Sequence, residues 1–274
     1  MNLSITNKGV YQKSENSKDF LNSEHSVYEV IRVIGGVALF LDDHYFRLFK
    51  SAEIQGISLL LEFSEFKKKI ADLVRLNAKP DGNIKCVFEV ASGNNNWIFT
   101  FIPHSYPTPE NYKFGVSADL LFAERANPNA KVIQNTVREK ANRMIEELKL
   151  YEVLLVDRDG YITEGSRSNV FFVKDEMFYT APESKVLVGI TRQKVIECLR
   201  QLNFELVEKS VSAAEISQFD AAFLTGTSPK VLPIRLIGKL GFNTQVSVLQ
   251  KLMESYDDKI YTYIEKAKAE DQFC

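Results

Sequence analysis

The chain has 274 residues, of which 45% are hydrophobic and 26% charged, with a formal net charge of −2. That is enough for one large or two ordinary domains with a substantial core. The near-neutral balance removes the electrostatic case for nucleic acid or an anionic membrane, and neither a signal-like leader nor a run of membrane-spanning length is expected.

Taken in chain order, the first stretch, to about Asn22, is polar and irregular, and its poor alternation predicts a weak edge strand or hairpin. Ser26 to Leu41 reads as two strands hinged at Gly35-Gly36. Asp42 or Asp43 is placed to cap a helix that runs to about Ile54. Ser64–Leu76 carries Phe66, Ile70, Leu73 and Val74 at helical spacing. Asp81-Gly82 turns the chain into strand Ile84–Ala91, and the glycine-asparagine run 93–96 turns it again into Trp97–Ile102. Pro103, Pro107 and Pro109 then break regular structure before a strand at Lys113–Leu121.

Residues 123–130 read as a linker between a small α+β domain (1–122) and a larger domain (131–274). A helix begins near Asn135, with Val137, Met144, Ile145 and Leu148 at core spacing. Strand Val153–Val156 leads into a hairpin, and Met177–Thr180 follows. The second half continues with a helix from Ile190 or Thr191 to Leu202, a strand at Leu206–Ser210 and a short helix at Ser212–Ser217. Strands at Ala221–Thr225 and Val231–Leu236 precede a C-terminal helix from Val246 to about Lys266, with a frayed, charged tail. Cys86, Cys198 and Cys274 are too widely spaced for metal-like pairing, which points to reduced thiols in the cytoplasm. His25, His44 and His104 are equally scattered, so no metal site is expected.

The chemistry concentrates in residues 157–173, Asp-Arg-Asp-Gly-Tyr-Ile-Thr-Glu-Gly-Ser-Arg-Ser-Asn-Val-Phe-Phe-Val. Here Asp159-Gly160 is a turn dipeptide, and Glu164 stands beside a glycine in a segment headed for a core. Read alone, Glu164 is either an exposed bulge acid or a buried carboxylate that needs a partner.

This segment resembles the Glu-Gly-x-x-x-Asn signature of the class IV (fold type IV) aminotransferases, the family of branched-chain and D-amino-acid aminotransferases and aminodeoxychorismate lyase. Three further blocks agree in the family's order: His44-Tyr45-Phe46-Arg47-Leu48, Val188-Gly189-Ile190-Thr191-Arg192 and Thr225-Gly226-Thr227-Ser228. The resemblance spans roughly residues 27–240. It implies an α+β, two-domain fold type IV enzyme, with a small α/β domain and a larger pseudo-barrel α/β domain. It also implies the cofactor pyridoxal 5'-phosphate (PLP).

PLP chemistry needs a lysine to hold the aldehyde and shuttle a proton, an acid to keep the ring nitrogen protonated, and donors for the phosphate. By the resemblance the acid is Glu164. The lysine is Lys131, 33 residues before Glu164, rather than Lys140, only 24 before it and on the solvated side of its helix. The family's Asn three residues after the lysine is displaced here, where Gln134 precedes Asn135, and Thr136 stands where branched-chain enzymes have a tyrosine. Gly189, Ile190 and Thr191 open a helix whose amides suit an anion, Gly226 and Thr227 offer a second set, and Arg47 matches the phosphate arginine. Tyr28 either lines the pocket or packs in the core. Arg167 grips a carboxylate or pairs with a neighbouring acid.

The reaction implied is a ping-pong transfer of an amino group between an amino acid and a 2-keto acid. Trp97 and Phe99 occupy positions where D-amino-acid enzymes present arginine and histidine. This favours an apolar pocket and branched-chain L-amino acids, the substrate carboxylate being taken by amides near Thr227-Ser228. Aminodeoxychorismate lyase, fitting the compact length, is the alternative. A PLP-family scaffold kept for binding, or a decayed copy, is the second, supported by the displaced Asn and the absent glycines before Tyr28. Small-molecule substrates and a homodimer are the partners the resemblance implies.

Overall fold

The period-two alternation of the first hundred residues closes into an antiparallel sheet. In the structure, a computed structural model that describes residues 3–12, 26–59, 61–91, 94–124, 131 and 135–271, this sheet has six strands. They are β1 (Leu3–Thr6), β2 (Gly9–Gln12), β3 (Ser26–Ile34), β4 (Val37–Ala38), β5 (Gly82–Ala91) and β6 (Asn94–Ile102), in the order β2-β1-β6-β5-β3-β4. Helices α1 (Leu41–Ile54) and α2 (Phe63–Asn77) supply the apolar stripes for its core. Val27, Ile31, Leu48, Phe66, Ile70, Leu73, Phe88 and Phe99 are buried there. Phe66 meets Phe99 edge-on at 5.2 Å, a favourable aromatic geometry.

The cap of α1 departs from expectation. Phe40, not an aspartate, is the N-cap; it adopts a left-handed conformation and makes no side-chain cap bond. Its ring packs at 5.0 Å on that of Tyr263, whose hydroxyl accepts the Leu41 N–H at 3.0 Å. Asp42 and Asp43 fall in the first turn, where their charge still complements the helix dipole. The expected strand at Lys113–Leu121 also begins later. Thr108 closes a capping box with Asn111 and Pro109 opens the helix, so residues Pro109–Phe114 form a short helix, α3, before strand β7 (Val116–Phe122).

The second half continues with α4 (Asn135–Leu148), β8 (Glu152–Val156), β9 (Tyr161–Gly165), β10 (Asn169–Lys174), β11 (Met177–Thr180) and α5 (Ile190–Gln201). It ends with β12 (Leu206–Glu208), β13 (Val211–Ser212), β14 (Ala221–Gly226), β15 (Lys230–Ile237), β16 (Leu240–Gly241) and α6 (Ser247–Asp271). The strands β7 to β16 make one mixed ten-stranded sheet, ordered β12-β11-β10-β14-β15-β7-β8-β9-β13, with β16 on β15. Where a helix was expected at Ser212–Ser217, β13 and a single 3₁₀ turn (Ile216–Gln218) stand instead. On α4 only Ala141 of the described side chains is fully buried. Leu148, expected in the core, is exposed because the helix ends beside it.

Contacts divide the chain into two units, 1–105 with 130–133 and 260–274, and 106–129 with 134–259. This differs from a boundary at 122/131: β7 pairs with β8 and β15 in the larger sheet, and Lys131 belongs with the smaller unit. Most of the expected linker, together with His25, Gln134 and Cys274, lies outside the described residues. Among the described residues no helix is long and apolar enough to cross a membrane, and no group of three or more His, Cys, Asp or Glu side chains could hold a metal ion.

Candidate active site

In the smaller unit, Glu29 is buried in the middle of β3 facing α1, from which His44 and Arg47 reach it. Arg47 donates through Nε and Nη2 to both carboxylate oxygens at 2.7 Å, and His44 Nδ1 lies 2.7 Å from Oε2. Burial by itself would raise the Glu29 carboxyl. The Arg47 charge and the His44 hydrogen bond outweigh it and hold the group far below the usual carboxylate range. His44 is also pushed down, by burial first, against the opposing pull of Glu29, so the imidazole is neutral near pH 7. The motif arginine thus has two of its nitrogens engaged by an acid of its own unit.

On the opposite face of the same strand lies Tyr28. Its N–H donates to the Lys131 carbonyl at 3.2 Å, and the Lys131 N–H donates to Ser51 Oγ at 3.4 Å. The backbone at 131 is therefore fixed between β3 and α1. The Lys131 ammonium sits 4.9 Å from the centre of the Tyr28 ring, within cation–π range. Tyr28 packs with Val87, Ile98 and Val30. Lys140, the other candidate, is exposed on α4.

In the larger unit the motif blocks converge. The turn before β9 is shaped by Asp157, which accepts the N–H groups of Asp159 and Tyr161 at 3.1 and 2.9 Å. Glu164 ends β9 only 3% exposed, and its Oε2 accepts the Leu187 N–H at 3.2 Å. Asn169 Nδ2 donates to the Leu187 carbonyl at 2.9 Å. The two polar residues of the Glu-Gly-x-x-x-Asn signature thus hold both backbone groups of one residue, three positions before α5. A side chain at Gly189 would collide with the Asn169 amide oxygen, which explains the glycine. Asn169 also pairs with Thr225 across β10 and β14, next to the Gly226-Thr227-Ser228 turn. Three blocks distant in sequence therefore surround one loop.

Helix α5 starts at Ile190 with Gly189 as N-cap and no side-chain cap bond. Its twelve residues leave a positive helix end whose first-turn amides suit an anion. Ile190 and Thr191 are buried there. Arg192 points away from this end: it is fully buried, with Nη2 on Glu208 at 2.6 Å and on the Ala181 carbonyl at 3.1 Å. Arg167 is exposed and donates to the Asn142 side chain of α4, a neutral amide rather than the acid considered from sequence.

Trp97 and Phe99 do not share a face with Tyr28; register pairs them with Phe88 and Cys86, on the α2 side, and Phe99 is a core residue. The apolar side chains beside Tyr28 are instead Val87 and Ile98. Sequence reading also missed Glu152, which stands just before an apolar run and is 3% exposed. Its carboxylate accepts Ser166 Oγ at 2.6 Å, Ser168 Oγ at 2.8 Å and the Arg167 N–H at 3.2 Å. It packs so close under Gly165 that a Cβ there would lie 3.1 Å from its carboxyl carbon. Glu152 therefore folds the loop that presents Glu164. Glu152→Ala is expected to strand these donors and destabilise the protein by about 2–4 kcal/mol, read as a lower urea midpoint at unchanged m-value.

Comparison with known proteins identifies the family. The family described as Amino-transferase class IV matches residues 26–237. A D-alanine aminotransferase of Bacillus licheniformis is 32% identical over 230 residues, covering 77% of this chain and 78% of that one. A Thermotoga maritima protein described as a probable branched-chain-amino-acid aminotransferase is 31% identical over 266 residues, covering 91% and 93%. The fold matches the branched-chain aminotransferase of the thermophilic archaeon Thermoproteus uzoniensis, solved with norvaline, with a TM-score of 0.82 at 24% identity over 97% of both chains. With the signature residues gathered around Leu187 and a family match over most of its length, the chain belongs to the class IV aminotransferases.

Proposed function

We propose that this protein transfers an amino group between an apolar L-amino acid, of the branched-chain type, and a 2-keto acid, with PLP as cofactor. The observation that carries the proposal is the gathering of Glu164, Asn169 and the uncapped start of α5 around Leu187. Those residues fit the group: a buried carboxylate and, beside it, a helix end that attracts a phosphate. When bound, PLP supplies an aldehyde that condenses with amines and a ring that takes up the electrons of a breaking C–H bond.

The chain's own residues do the rest. With the cofactor in place, Lys131 would hold its aldehyde and carry the substrate's α-proton on Nζ. Glu164 would hold the protonated ring nitrogen through its buried carboxylate. The first-turn amides of α5, the Thr191 hydroxyl and the amides of Gly226 and Thr227 hold the phosphate. Arg47 matches the family's phosphate arginine, and its charge is part-balanced by Glu29. The substrate carboxylate is held by amides near Thr227 and Ser228. Tyr28, with Val87 and Ile98 beside it, offers an apolar face to a substrate side chain. Arg167, held by Asn142, steadies the loop rather than gripping substrate. The enzyme works as a homodimer in the cytoplasm.

The test is an assay of L-leucine with 2-oxoglutarate, run beside D-alanine with 2-oxoglutarate and aminodeoxychorismate alone. The expected result is glutamate and 4-methyl-2-oxopentanoate from the first mixture. Pyruvate and p-aminobenzoate from the third would make the protein a lyase, and faster turnover of D-alanine would reverse the handedness.

A further inference from the structure

A cleft of about 400 Å³ opens in the larger unit where α3, the end of α4 and the beginnings of β7 and β8 meet β15. That volume lies in the range of about 300–1,000 Å³ usual for small-ligand sites. None of its lining residues belongs to the group around Leu187. Two unusual backbone positions place cations on it. Register pairs Ile234 with Val116 and Leu236 with Ser117, so Arg235 is the extra residue of a β-bulge, and a bulge re-aims its side chain. Lys149 closes α4 at φ 53°, with the Leu150 N–H on the Ile145 carbonyl at 2.9 Å. Glycine is the usual residue at such a helix end, so a lysine is held there against backbone preference. Both side chains are exposed, and among the described residues neither has a hydrogen-bond or ion-pair partner.

The remaining wall offers apolar surface and one acid. Phe114 is 58% exposed, and a Cβ on the following Gly115 would stand 2.9 Å from the Arg235 backbone nitrogen, so ring and bulge are neighbours. The Tyr151 N–H donates to the Ser117 carbonyl at 2.9 Å, which brings the half-buried Leu150 beside them. Glu110, on α3, is ionised: its own backbone N–H and Thr108 hold the carboxyl below the usual carboxylate range. We propose that this cleft is a second amino-acid site, which takes the carboxylate of an apolar α-amino acid at Arg235 and Lys149, its ammonium at Glu110 and its side chain on Phe114 and Leu150. A guanidinium matches a carboxylate with two parallel donors, and the lysine adds a point charge. The lone acid is left for the other end of a zwitterion. A dianion would meet that acid, and an uncharged ligand would leave all three ions unused. The assignment does not depend on the roles given to Lys131 and Glu164.

The experiment uses the purified protein after borohydride reduction, so that no amine condenses with a bound aldehyde. Binding of radiolabelled L-leucine is measured by equilibrium dialysis on the parent, Arg235→Gln and Lys149→Gly. The competitors are 4-methylpentanoate, which lacks the ammonium, and 3-methylbutylamine, which lacks the carboxylate. The expected result is saturable binding that weakens about 10-fold or more in each variant, the effect of one lost charge-assisted hydrogen bond. Each competitor should displace leucine at least about 10-fold less well than unlabelled leucine does. Lys149→Gly should unfold at the parent's temperature or above, because glycine adopts φ 53° without strain, so its weaker binding is not a lost fold. No saturable binding up to about 10 mM overturns the assignment. So does equal binding in the parent and either variant, which would put leucine elsewhere, or a competitor that matches leucine, which would remove the zwitterion.

Discussion

Lys131→Ala is expected to abolish transamination while leaving the fold intact. The Lys131 side chain is half-buried over the Tyr28 ring, and the two hydrogen bonds that fix this position, from Tyr28 and to Ser51, use its backbone. Alanine keeps both bonds, so thermal stability should change by less than about 1 kcal/mol. The chemistry cannot survive as well. A positioned proton carrier contributes about 10²–10⁴-fold in rate, and the loss of the covalent anchor adds to that. Added methylamine, a small free base, is expected to recover a fraction of the rate. Stopped-flow loss of substrate α-deuterium measures the step. A variant with more than about a tenth of the parent rate would place the proton transfer on another group, given the size of the effect expected.

Glu29→Ala is expected to have the largest effect on stability. It leaves the Arg47 guanidinium, 11% exposed, facing a buried His44 without the carboxylate both contact. Breaking a buried pair from one side costs about 3–5 kcal/mol. The pH dependence follows from the directions of the two shifts. The Glu29 carboxyl is depressed in the folded state, so its contribution is present above the unfolded value of about 4.3 and is lost as pH falls towards the folded one. His44 is depressed as well, so the unfolded chain binds its proton first and stability declines as pH drops below about 6.5. Urea unfolding from pH 8 to pH 3 should show a parent protein that weakens in both windows. The gap between parent and Glu29→Ala should narrow below about pH 4. A constant gap would mean that Glu29 is held for shape rather than charge.

How much of this was legible in the sequence depended on the range of the forces involved. Helix α2 was readable because Phe66, Ile70 and Leu73 repeat on one face and the same residues are buried. The hairpins at Gly35-Gly36 and Asp159-Gly160 were readable because the turn chemistry is local. Helix α3 was missed because Pro109 was taken as a breaker, when after a threonine cap it stands at the one helical position that proline favours. Trp97 and Phe99 were read as pocket positions from the resemblance alone, because alternation shows which face a side chain takes only once register is known. Here register follows from pairing with β5 and β3, and a shift of one residue exchanges the faces.

The site divides in the same way. Glu164 and Asn169 stood out as a motif, but what they hold, the backbone of Leu187, lies 23 and 18 residues away and has no side-chain signal. Glu152 is a lone acid before an apolar strand, and only the folded loop shows three donors turned towards it. Lys131 meets Ser51 across 80 residues. No periodicity reports such a contact, and the resemblance to a family, rather than the physics of the chain, singled the lysine out.

The most direct test of the central claim is to reduce the purified, PLP-loaded protein with borohydride, digest it and map the modified peptide by mass spectrometry. One phosphopyridoxyl group is expected, on Lys131, with the visible absorbance lost on reduction. A label on Lys140 or another lysine, or a protein that binds no PLP, would contradict it.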